Sequence, residues 1–366
     1  LIRLAELFPE AEIPQAFAAR PVESISCDSR KVAKDAVFFA VPGTKSDGLA
    51  YAQEAASRGA LAIVAEREPD AAIEAPLFIK VGNVRAALAQ ACAKTFPRQP
   101  ETIVAITGTS GKTSVASFVR QIWARQGLCA ASLGTLGIVA PGGSSYGALT
   151  TPDPVTLHLS LDALARDGVT HLAVEASSHG LDQHRLDGLR LAAGAFTNLS
   201  RDHLDYHATL ESYLAAKMGL FERLLAPGRP AIIDADSDVA EKVMAICENR
   251  GLEVVSTGFA GRSLRLLEAE PRNFSTKLRV LHAGSEHKIQ LPLAGAFQAS
   301  NALVAAGLCL ATGSSPGDVF TALERLEGAP GRLELVGERK GAPIFVDYAH
   351  KPDALEKALR ALRPFV

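Results

Sequence analysis

The 366-residue chain carries 38 lysines and arginines against 40 aspartates and glutamates, a formal net charge of −2, and is 48% apolar. That balance excludes the basic excess of a general nucleic-acid or membrane-surface binder and leaves ample material for two or three globular cores. Cys27, Cys92, Cys129, Cys247 and Cys309 are scattered without a CxxC pair, which reads as reduced cytosolic thiols rather than a disulfide framework or zinc site.

No apolar run approaches the roughly 18 residues of a membrane span. Leu1 opens without the regions of a signal peptide, and, not being Met, it is not expected to be the native start. Residues 1–98 read as a small mixed α/β unit. "AVFFAVPG" (36–43) is a strand ending in a turn, "AYAQEAASRG" (50–59) a helix with a glycine stop, and "ALAIVAE" (60–66) a strand. "PLFIKV" and the helical "NVRAALAQACAKTF" (83–96) repeat the alternation, and "FPRQPE" (96–101) is a linker.

A central unit, 99–330, starts with the strand "TIVAIT" (102–107), a loop and a helix over Thr113–Gln126. One strand is expected over 129–139, followed by a Gly/Ser turn (141–147), a helix over 154–168 and the strand "THLAVEA" (170–176). Strands at 191–198, 229–234 and 252–258 alternate with helices at 210–225 and 237–251. This order predicts a mostly parallel sheet with helices on both faces, of the P-loop ATPase kind. Residues 263–293 read as an antiparallel insert, and helices at 296–313 and 316–328 close the unit. Beyond a linker at 328–332, residues 331–366 begin a third, Rossmann-like unit. About 35 residues cannot bury a domain-sized core, so that unit reads as cut short at Val366.

"AITGTSGKTS" (105–114) carries the first chemical signal. The phosphate-loop pattern G-x4-G-K-[ST] puts its first glycine at 106, where Ile106 stands. Gly108, Gly111, Lys112 and Thr113 remain, after a strand and before a helix, the context in which backbone N–H groups and a helix N-terminus hold phosphate. The competing reading is a Gly-rich turn with a solvated lysine. Glu175 ends a buried-type strand, where a carboxylate can face the loop across a Mg2+ ion. Asp202, His203, Asp205 and His207 crowd a second polar stretch, suited to metal or phosphate. His184 and Arg185 suit an anionic substrate. Lys217, in "YLAAKMGLF", reads by itself as a helix lysine that snorkels to solvent.

"TGTSGKTS", "EASSHGLDQHR" (175–185) and "TNLSRDHLDYH" (197–207) together resemble the Mur ligases, in the branch that adds the third residue of the cell-wall peptide. "DSRKVAKDAVFFAVPG", "TTPDP", "GAFQASNALVAA", "GRLE" and "VDYAHKPDALEKAL" follow the same order, so the resemblance covers essentially the whole chain. It implies that ATP phosphorylates the terminal carboxylate of UDP-N-acetylmuramoyl-L-alanyl-D-glutamate. The amine of meso-diaminopimelate, favoured over L-lysine, then attacks the acyl phosphate. The implied ATP contacts are Gly108, Thr109, Ser110, Gly111, Lys112, Thr113, Ser114, Asn301, Arg332 and Asp347. The implied catalytic set is Lys112, Glu175, His203 and Lys217, and the Mg2+ ligands are Thr113, Glu175, His203 and Lys217, the last as a lysine carbamate made with CO2. Substrate contacts fall on Ser29, Thr44, Lys45, Ser46, Thr150, Thr151, Ser177, Gln183 and Arg185. The resemblance further implies a cytoplasmic monomer without nucleic-acid or membrane partners. Ser110, Leu149 and Lys351 depart from the residues common in relatives, and the amino-acid-selecting motif is expected beyond Val366. For residues 1–366 alone, binding without turnover is expected. A different Mur-type or a folylpolyglutamate-type ligase is the alternative.

Overall fold

The computed structural model describes all residues except 44–45, 70–72, 74–76, 201–205, 273, 350–351 and 364–366, with backbone alone at 352–354 and 357. The chain forms two compact units. One comprises residues 1–99, 152–166 and 183–189; the other comprises 100–151, 167–182 and 190–366.

The first unit is built on four parallel strands, Ser24–Ser26, Ala36–Phe39, Ala62–Ala65 and Phe78–Lys80, in chain order across the sheet. Alternate side chains leave opposite faces of a strand. Val37 and Phe39 therefore enter one core with Leu4, Val64 and Leu88, while Ala36 and Phe38 enter the other with Ala52 and Ala55. Both faces are covered, which is why "AVFF" is apolar throughout rather than alternating. Asn83 caps the helix Val84–Thr95, its Oδ1 accepting from Ala86 N at 3.0 Å. The helix Pro154–Arg166 also packs in this unit.

The second unit carries an eleven-stranded sheet. Its middle is six parallel strands in the order Glu253–Gly258, Pro230–Asp234, Leu191–Phe196, Thr102–Thr107, His171–Glu175 and Ala130–Gly134. Leu264–Arg272 joins the Glu253–Gly258 edge as a further parallel strand, and Ser275–His282 and Ser285–Leu291 extend that edge by antiparallel pairing. The single strand expected over 129–139 is instead a hairpin: the chain turns at Thr135, runs back through Gly137–Ala140, and reverses again into the short strand Gly143–Ser145, inside the stretch expected as a Gly/Ser turn. Gly137, at φ 76°, supplies the left-handed step that the turn needs.

The helices Lys112–Arg125 and Ala296–Ala311 pack together in the main core of this unit, with Phe118 and Trp123 fully buried. The strand chain order reverses on either side of Thr102–Thr107, which creates a crevice at the carboxyl ends of the strands. The two-stranded sheet Glu334–Arg339 and Ala342–Val346 and the helix Pro352–Leu362 complete the chain. Among the described residues no helix is long and apolar enough to cross a membrane.

Candidate active site

The strand Thr102–Thr107 delivers the loop 108–111 to that crevice. Ile106, where the loop pattern has glycine, is fully buried and simply continues the strand. Gly108 and Gly111 have φ of 140° and 89°. A Cβ at Gly108 would lie 1.9 Å from Thr197 Oγ1, and one at Gly111 2.3 Å from Asn301 Oδ1. Neither position admits a side chain. The loop is also pinned from outside: Thr109 N donates to Asn198 O at 2.8 Å, Ser110 N to Asn198 Oδ1 at 3.0 Å, and Thr197 Oγ1 to Ser110 O at 2.6 Å. The helix Lys112–Arg125 starts at Gly111 with no side-chain cap, so its first N–H groups remain available to an anion.

Strand register brings Glu175 beside this loop, because Ile106 pairs with Glu175. Glu175 is 2% exposed. Its Oε2 accepts from Thr113 Oγ1 at 3.0 Å and Thr135 Oγ1 at 3.2 Å, and its Oε1 accepts from Thr135 N at 2.9 Å. A Cβ at Gly134 would fall 2.1 Å from Oε1, so glycine there leaves the room the carboxylate occupies. Burial pushes the Glu175 carboxyl above the usual range, and the charge of Lys112 opposes the shift. A hydroxyl and a buried carboxylate 3.0 Å apart beside an anion-binding loop form the oxygen donor pair that suits a small hard cation such as Mg2+.

Two lysines converge on one carbonyl. Lys112 Nζ donates to Gly108 O at 2.8 Å and Thr109 O at 2.9 Å, and Lys217 Nζ donates to the same Gly108 O at 2.8 Å. Lys217 does not snorkel: it is 1% exposed, with its amine 4.1 Å from the centre of the Tyr213 ring. Its helix, Leu210–Gly219, buries Tyr213, Leu214, Met218 and Gly219 as well, so the stem has no path to solvent. Burial first, and then the neighbouring Lys112 charge, hold the Lys217 amine well below its ordinary pKa. Lys112 is pushed down to about 8, mainly by burial. His203 lies outside the described residues, as do Asp202 and Asp205. Among the described residues no cluster of three His, Cys, Asp or Glu side chains is assembled for a metal.

Next to the loop, an open cleft is lined by Ser110, Gly111, Ser114, Asn198, Phe297, Asn301, Arg332, Asp347 and Ala358. Six residues expected around ATP, Ser110, Gly111, Ser114, Asn301, Arg332 and Asp347, therefore meet in one cavity. Asp347 is held by Leu333 N and Ala349 N, each donating at 2.7 Å, and the Arg332 guanidinium stands over the Tyr348 ring. Gly134, Thr135, Asn198, Tyr213 and Phe297 were not singled out from the sequence. Asn198 had a signal in "FTNLS", two residues past a strand end, whereas Gly134 closes a strand and Thr135 sits in a turn within a stretch expected to be one continuous strand.

The residues expected at the UDP-sugar substrate divide between the units. In the first, Ser29 Oγ donates to Glu54 Oε2 at 2.7 Å in a cavity also lined by Ser46, Cys27, Asp28, Arg30 and Tyr51. Arg185 donates from Nη2 to Gln183 Oε1 at 2.8 Å. In the second, Thr151 Oγ1 donates to Glu175 O at 2.8 Å and accepts from Ser177 N at 3.1 Å, and Thr150 contacts the Thr135 hydroxyl at 3.1 Å. Thr44, Lys45 and Lys351 lie outside the described residues. The His184 ring departs from the expectation of an anion contact: it is bonded to Asp187 and Asn83 within the protein.

A glycine-bearing loop between a parallel strand and a helix, at the carboxyl edge of a doubly covered sheet, is the architecture of the P-loop nucleotide-binding proteins. Family comparison is more particular. Residues 106–309 match the Mur ligase middle domain, 21–96 the Mur ligase family catalytic domain and 331–366 the Mur ligase glutamate ligase domain. The chain is 56% identical over 360 residues to the UDP-N-acetylmuramoyl-L-alanyl-D-glutamate--2,6-diaminopimelate ligase of Bradyrhizobium diazoefficiens, covering 97% of this chain and 74% of that one. It is 51% identical to the protein of the same name from Agrobacterium fabrum, covering 98% and 73%. A solved structure of a ligase of that name superposes with a TM-score of 0.86 at 28% identity, over 99% of this chain and 74% of the other. The chain belongs to the Mur ligase family.

Proposed function

We propose that the protein is an ATP-dependent amide ligase of peptidoglycan precursor synthesis, adding meso-diaminopimelate to UDP-N-acetylmuramoyl-L-alanyl-D-glutamate in the cytoplasm, as a monomer. The observation that carries the reading is the Thr113 hydroxyl 3.0 Å from the buried Glu175 carboxylate at the mouth of the loop. The names of the relatives favour diaminopimelate over L-lysine.

In this reading the loop N–H groups and Lys112 hold the ATP phosphates. Asn301, Arg332 and Asp347 line the nucleoside end. The γ-phosphoryl group passes to an oxygen of the D-glutamate carboxylate and ADP departs. The diaminopimelate amine then attacks the acyl carbon, the carbon–oxygen bond to phosphate breaks, and the amine loses a proton as the amide forms. Thr113, Glu175 and His203 would hold Mg2+, joined by Lys217 as its carbamate. The cation supplies neutralisation of charge developing on the phosphate oxygens. A neutral, dry amine is the form that adds CO2, and burial shifts Lys217 toward that form. Lys112 balances the Glu175 charge, and Thr135 fixes its orientation.

The test is hydroxylamine trapping of the acyl phosphate, which needs ATP and the UDP-dipeptide but no amino acid. Hydroxamate formation that requires both is expected. Nucleotide hydrolysis indifferent to the UDP-dipeptide, or stimulated by tetrahydrofolate with glutamate, would overturn the assignment.

A further inference from the structure

In the first unit, His184 has φ 55°, a left-handed conformation uncommon for a residue with a Cβ. Its neighbours Gln183 and Arg185 form a side-chain pair, with Arg185 Nε and Nη2 donating to Gln183 Oε1 at 3.2 and 2.8 Å. The ring itself is 20% exposed and held from two sides. One ring nitrogen, Nδ1, lies 2.8 Å from Asp187 Oδ2, and the other, Nε2, lies 3.3 Å from Asn83 Nδ2.

Asn83 settles the tautomer. Its Oδ1 accepts from Ala86 N at the start of the helix Val84–Thr95, so its remaining amide atom is the NH2 group. Nδ2 therefore donates, and His184 Nε2 must accept. Nδ1 then carries the hydrogen and donates to Asp187. Asp187 is buried, and its carbonyl is 3.2 Å from Nε2 of the fully buried His158 on the helix Pro154–Arg166. The ring thus links a helix cap and a buried carboxylate from segments about a hundred residues apart in the chain.

We infer that the Asn83–His184–Asp187 relay is a positioning device: it holds residue 184 in the left-handed conformation and so sets the Gln183–Arg185 pair that receives the anionic UDP-sugar peptide. The inference rests on the substrate class proposed above. His184 is not a contact of that substrate, because both ring nitrogens are engaged within the protein. Five residues contribute, and only Gln183 and Arg185 touch the ligand.

Calorimetric binding of UDP-N-acetylmuramoyl-L-alanyl-D-glutamate to the chain tests it. His184→Gly keeps the left-handed backbone accessible and removes the ring, and Asn83→Asp keeps the helix cap while removing the donor to Nε2. Both variants are expected to bind the UDP-dipeptide at least tenfold more weakly while binding Mg-ATP as the wild type does. His184→Asn, which tolerates the backbone and can still donate to Asp187, is expected to recover part of the loss. Nitrogen-15 spectra of the ring should show Nδ1 protonated in the wild type and the proton redistributed in Asn83→Asp. Unchanged UDP-dipeptide affinity in His184→Gly and Asn83→Asp would overturn the inference and leave the ligase assignment standing. A wild type with no affinity for the UDP-dipeptide would defeat both.

Discussion

Replacing Gly134 by alanine tests the metal-side geometry without touching any group given a chemical role. Gly134 ends the strand Ala130–Gly134 and has no positive φ, so alanine meets no backbone objection. The obstacle is Glu175, whose Oε1, Cδ and Cγ would lie 2.1, 2.4 and 2.5 Å from the new methyl. Ordinary contact begins near 3.4 Å, so the carboxylate must move by more than an ångström. A shift of that size breaks the 2.9 Å bond from Thr135 N and disturbs the 3.0 Å bond from Thr113. Hydrogen bonds to a charged group contribute about 1.5–3 kcal/mol each, and a misplacement of ~1 Å in a reacting assembly costs on the order of 100-fold. We expect acyl-phosphate formation in Gly134→Ala, read by hydroxamate trapping, to fall about 100-fold, equivalent to about 2.7 kcal/mol. Overpacking should cost about 1–3 kcal/mol of stability. Shortening the acid in Gly134→Ala/Glu175→Asp should restore part of the rate, giving a non-additive cycle. Wild-type rate and melting temperature in Gly134→Ala would show that the carboxylate is not held where the reasoning requires.

Lys217→Met should abolish acyl-phosphate formation yet raise stability at neutral pH by ~1 kcal/mol or more, because it removes a buried amine. The folded amine titrates below its unfolded value, so the unfolded chain binds more protons between the two pKa values and wild-type stability rises with pH there. The gain from Lys217→Met therefore shrinks as pH approaches 10.5, which urea titrations at several pH values would reveal. Intact-mass measurement should find CO2 added to the wild type in bicarbonate and not to Lys217→Met. Glu175→Gln preserves shape and removes charge; Mg2+-dependent ATP affinity should drop at least tenfold with the fold intact, by calorimetry and circular dichroism. The raised Glu175 pKa predicts that Mg2+ affinity in the wild type declines on acidification at a higher pH than an exposed glutamate would give. Asp347→Ala leaves Leu333 N and Ala349 N without their acceptor and should weaken ATP binding about tenfold, while UDP-dipeptide binding is unchanged.

The parallel sheet was legible because its strands are covered on both faces, so the apolar centres of "TIVAIT" (Ile103–Ile106) and "THLAVEA" (Leu172–Val174) stand out between helical stretches. The phosphate loop was legible despite Ile106, because the strand before it and the helix after it carry the chemistry and the first glycine is dispensable to both. Lys217 was misread for a physical reason. One-sided helices let a lysine reach water along its stem, but the helix Leu210–Gly219 is covered around its lysine face, and the small and apolar neighbours "LAAKMG" were the sign of it. The hairpin at Thr135 was missed because "CAASLGTLGIV" is apolar on both sides of the turn and the reversal is marked by no more than the short "GTLG", of which Gly137 takes the positive φ. The pairing of Asn83 with His184 spans 101 residues, and no local pattern encodes a contact of that separation.

The catalytic reading ultimately depends on sheet register rather than on any single side chain. Thr107 pairs with Phe196 on one side, and Ile106 pairs with Glu175 on the other. Side chains alternate between faces, so a slip of one residue would send Glu175 to the opposite side of the sheet from Thr113. Ile103, Val104, Ala173, Val174, Ala195 and Phe196 are completely buried, and each resists such a slip by the apolar area it would expose. The core thus fixes, from beneath, the 3.0 Å separation between hydroxyl and carboxylate on which cation binding rests. A conservative core change such as Val174→Ala, which leaves a cavity under the strand end, should therefore lower Mg2+ affinity measurably while every proposed ligand remains in the chain.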